Sequence, residues 1–208
     1  LHPNLEGREL PATALKAHLL CKNHNNELSD TDQEAINFHE VLSGWFKIDE
    51  DILTGNGLWT PTRYEVNGSL FGRWLCKLHC NLRSFDGFVP AEYYVRSAFG
   101  ETTDPSPRFF VLLNTNENLR YERRIWYADY TIGMRNFEEH ILFHVYFMGF
   151  HFIVFPFDLS ETVKSVLATK TRNDFYIGCW METPSQLIWK QGDIQTKFLI
   201  FNWTNISV

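Results

Sequence analysis

Cysteine is scarce in this chain: there are four in 208 residues, at positions 21, 76, 80 and 179. That is too few for a disulfide-built scaffold and, with no secretory leader visible, predicts a reducing, cytoplasmic setting. Positive charge is not in excess either. Lys and Arg total 19 against 25 Asp and Glu, a formal net charge of −6, which argues against wrapping nucleic acid and leaves only a local patch for phosphate contact. A glycine-rich phosphate cradle and a G-x-S-x-G nucleophile turn are both missing. Internal repeats and low-complexity linkers are missing too. One long hydrophobic run occurs, residues 141–157, and it is interrupted by His144, Gly149, His151 and Pro156. It lies at the low edge of membrane-spanning length and is dominated by aromatic and β-branched residues, so it predicts two buried strands joined near Met148 and Gly149, with no membrane partner.

What the chain has in quantity is apolar and aromatic payload. Hydrophobic residues make up 44% and aromatics 16%, with 18 Phe and 7 Trp, a composition that builds a folded core and excludes general disorder. Residues 1–17 carry Pro3, Gly7 and Pro11 and predict a loop, and residues 18–21 a short strand. A helix is expected next, opened by Ser29 as N-cap, with Asp30, Asp32 and Glu34 at the positive end of its dipole. Ala35, Phe38, Val41 and Leu42 form its apolar stripe, and Ser43-Gly44 is expected to end it. Turn signals stand at residues 54–57 and at Asn67-Gly68. A second helix over 69–82 places Leu70, Phe71, Trp74, Leu75, Leu78 and Leu82 at helical spacing. Beyond Pro90 the pattern becomes strand-like over 108–114, 121–132, 139–147, 150–155, 175–180, 186–189 and 197–203, with a short helix at 160–169. Successive strands with few helices predict an antiparallel α+β fold rather than alternating βαβ units.

The densest chemistry lies in Leu20-Cys21-Lys22-Asn23-His24-Asn25. A C-x-x-H pair can clip one Zn²⁺ from a tight turn, but a structural zinc site needs four ligands. No second such pair lies upstream in the chain, and its opening at Leu1, twenty residues before Cys21, reads as that of a truncated protein. The stretch Leu19-Leu20-Cys21-x-x-His24-Asn25-x-x-Leu28-Ser29-x-x-Asp32, with Ala35 and Phe38, resembles the "LC-x-x-HN-x-x-LS" half of HNH-like proteins from bacterial open reading frames. Leu70-Phe71-Gly72-Arg73-Trp74-Leu75-Cys76-Lys77 followed by Cys80-Asn81-Leu82 resembles the tryptophan-containing helix of the same proteins.

The resemblance implies a partial treble-clef, or HNH-like, knuckle and helix at residues 1–45, followed by an antiparallel β-sheet domain with one main helix at 46–208. It implies a metal-dependent endonuclease acting on DNA, of which this chain is an inactive, N-terminally truncated fragment. Cys21 and His24 then hold a structural zinc together with an upstream pair. Asn25 matches the helix-side position of the catalytic divalent metal, and His2, in Leu1-His2-Pro3-x-Leu5-x-Gly7, flanks the place of the base. The alternative is a non-catalytic binding module whose zinc knuckle is structural, and the acidic balance favours it.

Other clusters have bland readings that outweigh the functional ones. Cys76, His79 and Cys80 share one helix face and have ligand chemistry, but cysteine on a densely apolar helix is ordinarily buried core. Arg120, Arg123 and Arg124, with Arg108 or Arg135, read as a solvated strand edge, and the aromatic run 143–155 reads as core rather than a base-stacking platform. His140, His144 and His151 approach one another across the expected hairpin without a carboxylate at matching spacing. Asn-x-Ser/Thr sequons begin at Asn67, Asn202 and Asn205.

Overall fold

The computed structural model describes residues 8–9, 22–53, 62–101, 107–114, 125–133, 139–147, 150–156, 176–180, 185–191 and 195–202. It is an α+β fold. The elements in chain order are β1 (Arg8–Glu9), α1 (Lys22–Glu27), α2 (Ser29–Leu53), β2 (Thr62–Asn67), α3 (Gly68–Phe85), α4 (Glu92–Ala98), β3 (Arg108–Asn114), β4 (Ile125–Gly133), β5 (Glu139–Phe147), β6 (Phe150–Phe155), β7 (Tyr176–Trp180), β8 (Ser185–Gln191) and β9 (Gln195–Asn202).

A six-stranded sheet has the order β1-β4-β5-β6-β3-β7, and every neighbouring pair in it is antiparallel. Its centre is the hairpin expected from the long apolar run: β5 and β6 pair from Phe143 opposite Val154 to Phe147 opposite Phe150. A strand shows its residues alternately to two faces. Phe143, Val145, Phe150, Phe152 and Val154 point to one face and are fully buried. His144, Tyr146, His151, Ile153 and Phe155 occupy the other face, where most are half-buried. The described part of the run is therefore core on one side and mostly half-buried on the other. No helix among the described residues is long and apolar enough to cross a membrane.

The helices pack on the fully buried face. Phe38 of α2 lies 4.4 Å from Phe71 of α3, 5.6 Å from Phe152 and 6.0 Å from Phe150, measured between ring centroids. Burying a phenyl side chain is worth about 1.5–3 kcal/mol, so this cluster fixes how both helices sit on the sheet. On α3 the buried apolar positions Phe71, Leu75, Leu78 and Leu82 follow the expected periodicity, while Leu70 and Trp74 flank them at the half-buried margin.

Several local expectations are corrected. The first helix does not stop at Gly44 but continues to Leu53, passing through the place where the sequence suggested a boundary. An interior glycine costs only about 1 kcal/mol, and no proline lies between Gly44 and Leu53 to force an end there. Asn67-Gly68 is not a free turn: Asn67 ends β2 and caps α3, its Oδ1 accepting the Leu70 amide at 3.1 Å. Arg8–Glu9, expected in a loop, pairs with Tyr127 and Trp126 of β4. A second, three-stranded sheet joins β2 to β9 in parallel and β9 to β8 antiparallel. The parallel pair unites residues far apart in sequence. The expected strand at 18–21, the turn at 54–57 and the helix at 160–169 lie outside the described residues.

Candidate functional site

The segment that carries His24 and Asn25 is a helical turn, not the tight knuckle turn expected. Residues 22–27 form α1, and a single turn residue, Leu28, separates it from α2. Leu28 is buried and its amide donates to the His24 carbonyl at 3.2 Å. The Leu28 carbonyl accepts from the Asp32 amide at 3.3 Å and from the Thr31 hydroxyl at 2.7 Å. Ser29, expected to cap α2 with its side chain, donates its hydroxyl to the Asn26 carbonyl at 2.7 Å and so ties the two helices together. A spacing of three residues still keeps two side chains on one side of a helix, so a C-x-x-H pairing is compatible with helix as well as with turn.

Two anchors on α3 reach this region. Lys77 Nζ lies 2.6 Å from Asp32 Oδ2, with side chains 8% and 44% exposed respectively. One turn earlier, Arg73 Nε donates to the Ala98 carbonyl at 3.0 Å, where α4 ends. Gly100 follows with φ +82°, and a Cβ there would stand 3.1 Å from the Arg73 Cζ. Between Ala98 and Gly100 is Phe99, whose ring meets the His24 imidazole edge-on at 5.4 Å. His24 itself is exposed.

Of the residues predicted for function, the structure places His24 at this junction and the backbone of Asn25 beside it in α1; the Asn25 side chain, Cys21 and His2 lie outside those described. Among the described residues no group of three or more His, Cys, Asp or Glu is arranged to hold a metal ion. Here the described donor is one exposed imidazole, short of the four ligands of a structural zinc site.

The second cysteine cluster is core. Cys76 is fully buried, and burial, followed by the nearness of Cys80, raises its pKa well above the usual thiol range. Burial pushes Cys80 up to about 12. His79 stacks on Phe143 at 4.3 Å and meets Tyr94 edge-on at 4.6 Å. Burial, with a smaller contribution from Arg83, lowers it to about 3. Buried among Phe143, Tyr94 and the apolar face of α3, this cluster packs as core.

Across the hairpin, the His144 and His151 rings do approach, at 6.3 Å, and Tyr146 meets His151 at 4.6 Å. Burial, then the neighbouring His144, lowers His151 to about 4, and burial lowers His144 as well. Of the basic cluster, Arg108 is half-buried at the start of β3, and the others lie outside the described residues. The sequon at Asn67 has its side-chain oxygen engaged in the α3 cap.

Compared with family models, curated proteins and solved structures, the chain matches none. The site reading therefore rests on its own residues. Sequence reasoning missed Phe99 and took Asp32 and Glu34 for helix-dipole residues. In the structure Glu34 Oε1 accepts the Asn67 amide at 2.8 Å and the Asn37 side chain at 3.1 Å, linking α2 to the start of α3. An acidic residue three to five positions past the start of a helix carries the same sequence signal in either role, so nothing local separates them.

Proposed function

We propose that this chain belongs to a metal-dependent, HNH-like endonuclease that acts on DNA in the cytoplasm, and that as the 208-residue chain it is inactive. The observation that supports the reading is that its two motif stretches interlock. Asp32 of the first pairs with Lys77 of the second, and Phe38 of the first packs on Phe71 of the second. Two motifs that share an ion pair and a ring contact are parts of one unit, which is what a resemblance covering both stretches requires. In this reading Cys21 and His24 hold a structural zinc with a further ligand pair, Asn25 orients the catalytic centre, and His2 lies next to the general base. The catalytic metal, when bound, offsets charge on the departing oxygen.

Plasmid nicking with Mg²⁺ or Mn²⁺ tests this, using the 208-residue chain and the product of the same reading frame extended upstream of Leu1. The short chain should be inert and the longer one should nick DNA, with Asn25→Ala lowering the rate about 10–100-fold. Metal-dependent cutting by the short chain would remove the basis for calling it inactive, and an inert longer chain would overturn the nuclease reading.

A second reading, a non-catalytic binding module, is favoured by one feature. Phe85, Phe88 and Val89 stand 68%, 55% and 89% exposed where α3 turns toward α4. Clustered exposed apolar residues ordinarily mark a contact surface. Under this reading both chains are inert on DNA and Phe88→Ser lowers capture of a protein partner.

A further inference from the structure

We infer that Arg73 and Lys77 are positioning residues for the His24 helix: α3 holds α1 in place through two separate contacts made one turn apart. The inference deepens the nuclease reading by naming what fixes its candidate metal ligand, and it rests on that reading only for its functional consequence. The geometry stands independently.

The two contacts reach His24 through separate elements. Lys77 works through α2. Its ammonium is nearly buried, its carboxylate partner Asp32 lies in the first turn of α2, and the Asp32 amide donates to Leu28, the residue between α1 and α2. Since the Leu28 amide in turn donates to the His24 carbonyl, the ion pair and three backbone groups connect α3 to the His24 backbone. Arg73 works through α4. It donates to Ala98 and lies against the bare Cα of Gly100, which clamps the turn carrying Phe99 against its own guanidinium. Phe99 then provides the ring on which the exposed His24 imidazole rests. Backbone at 28 and ring at 99 together restrict the imidazole, which would otherwise sample several rotamers on a short helix.

The same arrangement explains why an arginine and a lysine occur four apart on α3. Residues at i and i+4 lie on one helix face, so one face meets both the α1–α2 junction and the end of α4. A ligand held within a narrow range of positions binds metal more tightly than a mobile one, because less freedom is lost on binding.

The test is proton NMR of the His24 ring in the full 208-residue chain, without metal or DNA, so that its outcome does not depend on the nicking assay. Phe99→Leu sets the signal with the ring current removed. Asp32→Ala and Arg73→Met should each move the His24 ring protons toward the Phe99→Leu position, while the methyl signals of Val145 and Val154 in the core stay in place. Asp32→Glu should restore the original signal, since it keeps the carboxylate. A purely stabilising ion pair would lower the unfolding midpoint in Asp32→Ala yet leave His24 unmoved, and that result would overturn the inference. If Arg73→Met does not fold, the Asp32 pair alone decides it.

Discussion

At the scale of single residues, backbone geometry and burial give the firmest expectations. Gly87 and Gly100 both adopt positive φ, +81° and +82°, but a Cβ at Gly87 meets nothing within 4 Å whereas at Gly100 it meets Arg73. A left-handed conformation costs a non-glycine residue about 1–2 kcal/mol. Gly87→Ala should therefore destabilise by about 1 kcal/mol, and Gly100→Ala by more, on the order of 2–3 kcal/mol when the steric contact is added. Urea unfolding of the two variants measures the difference. Equal losses would mean that Arg73 moves aside freely.

The buried titratable groups set a pH dependence. His79 and His151 titrate at about 3 and about 4 when folded, and His144 is lowered too, against an ordinary value of 6.5. Below 6.5 the unfolded chain binds protons that the folded chain does not, so the stabilisation is complete above 6.5 and is lost as the pH falls toward the folded values. Each group contributes at most about 1.4 kcal/mol per pH unit over that window. Unfolding midpoints measured from pH 7 to pH 5 should fall, and His79→Leu should flatten the slope. By the same burial argument Cys76 and Cys80 should resist an aromatic disulfide reagent at pH 8 in the native chain and react once it is unfolded, as mapped by mass spectrometry of the labelled peptides. Rapid native labelling of Cys76 would contradict its burial.

At the scale of elements, the central strands and α3 were legible because their signals are local. The aromatic and β-branched run over residues 141–157, interrupted at Met148-Gly149, and the period of 3.6 over 70–82 are both local patterns, and strands β3, β5 and β6 fall where the sequence places them. The extension of α2 past Gly44 and the parallel pairing of β2 with β9 were not legible. The first turns on a small glycine penalty overridden by its neighbours, and the second on contacts between distant segments, which no local pattern encodes. Of the candidate site, the sequence identified His24 and the two motif stretches but not their junction, since the roles of Asp32 and Phe99 appear only when α2, α3 and α4 are packed. That junction predicts an asymmetry. Asp32→Ala leaves the nearly buried Lys77 ammonium without its carboxylate, whereas Lys77→Met leaves a carboxylate that water still reaches. Removing the partner of a buried charge is the costlier change, so Asp32→Ala should lose about 1–2 kcal/mol more than Lys77→Met in the same unfolding assay.

At the scale of the whole molecule, an α+β body joins one face of a sheet to two long helices, and an exposed histidine is held at the edge of that body. The proposed activity depends on this edge becoming a metal-binding unit. With Cys21 and His24 alone, half of a zinc coordination shell is left to water and little binding free energy is available. Zinc content per chain after exhaustive dialysis, measured on the 208-residue chain and on the product extended upstream of Leu1, is the most direct check. The expected result is well under one zinc in the shorter chain and one in the longer, with that zinc lost in Cys21→Ala. A full equivalent retained by the shorter chain, or none by the longer, would contradict the assignment of Cys21 and His24 as half of a zinc site.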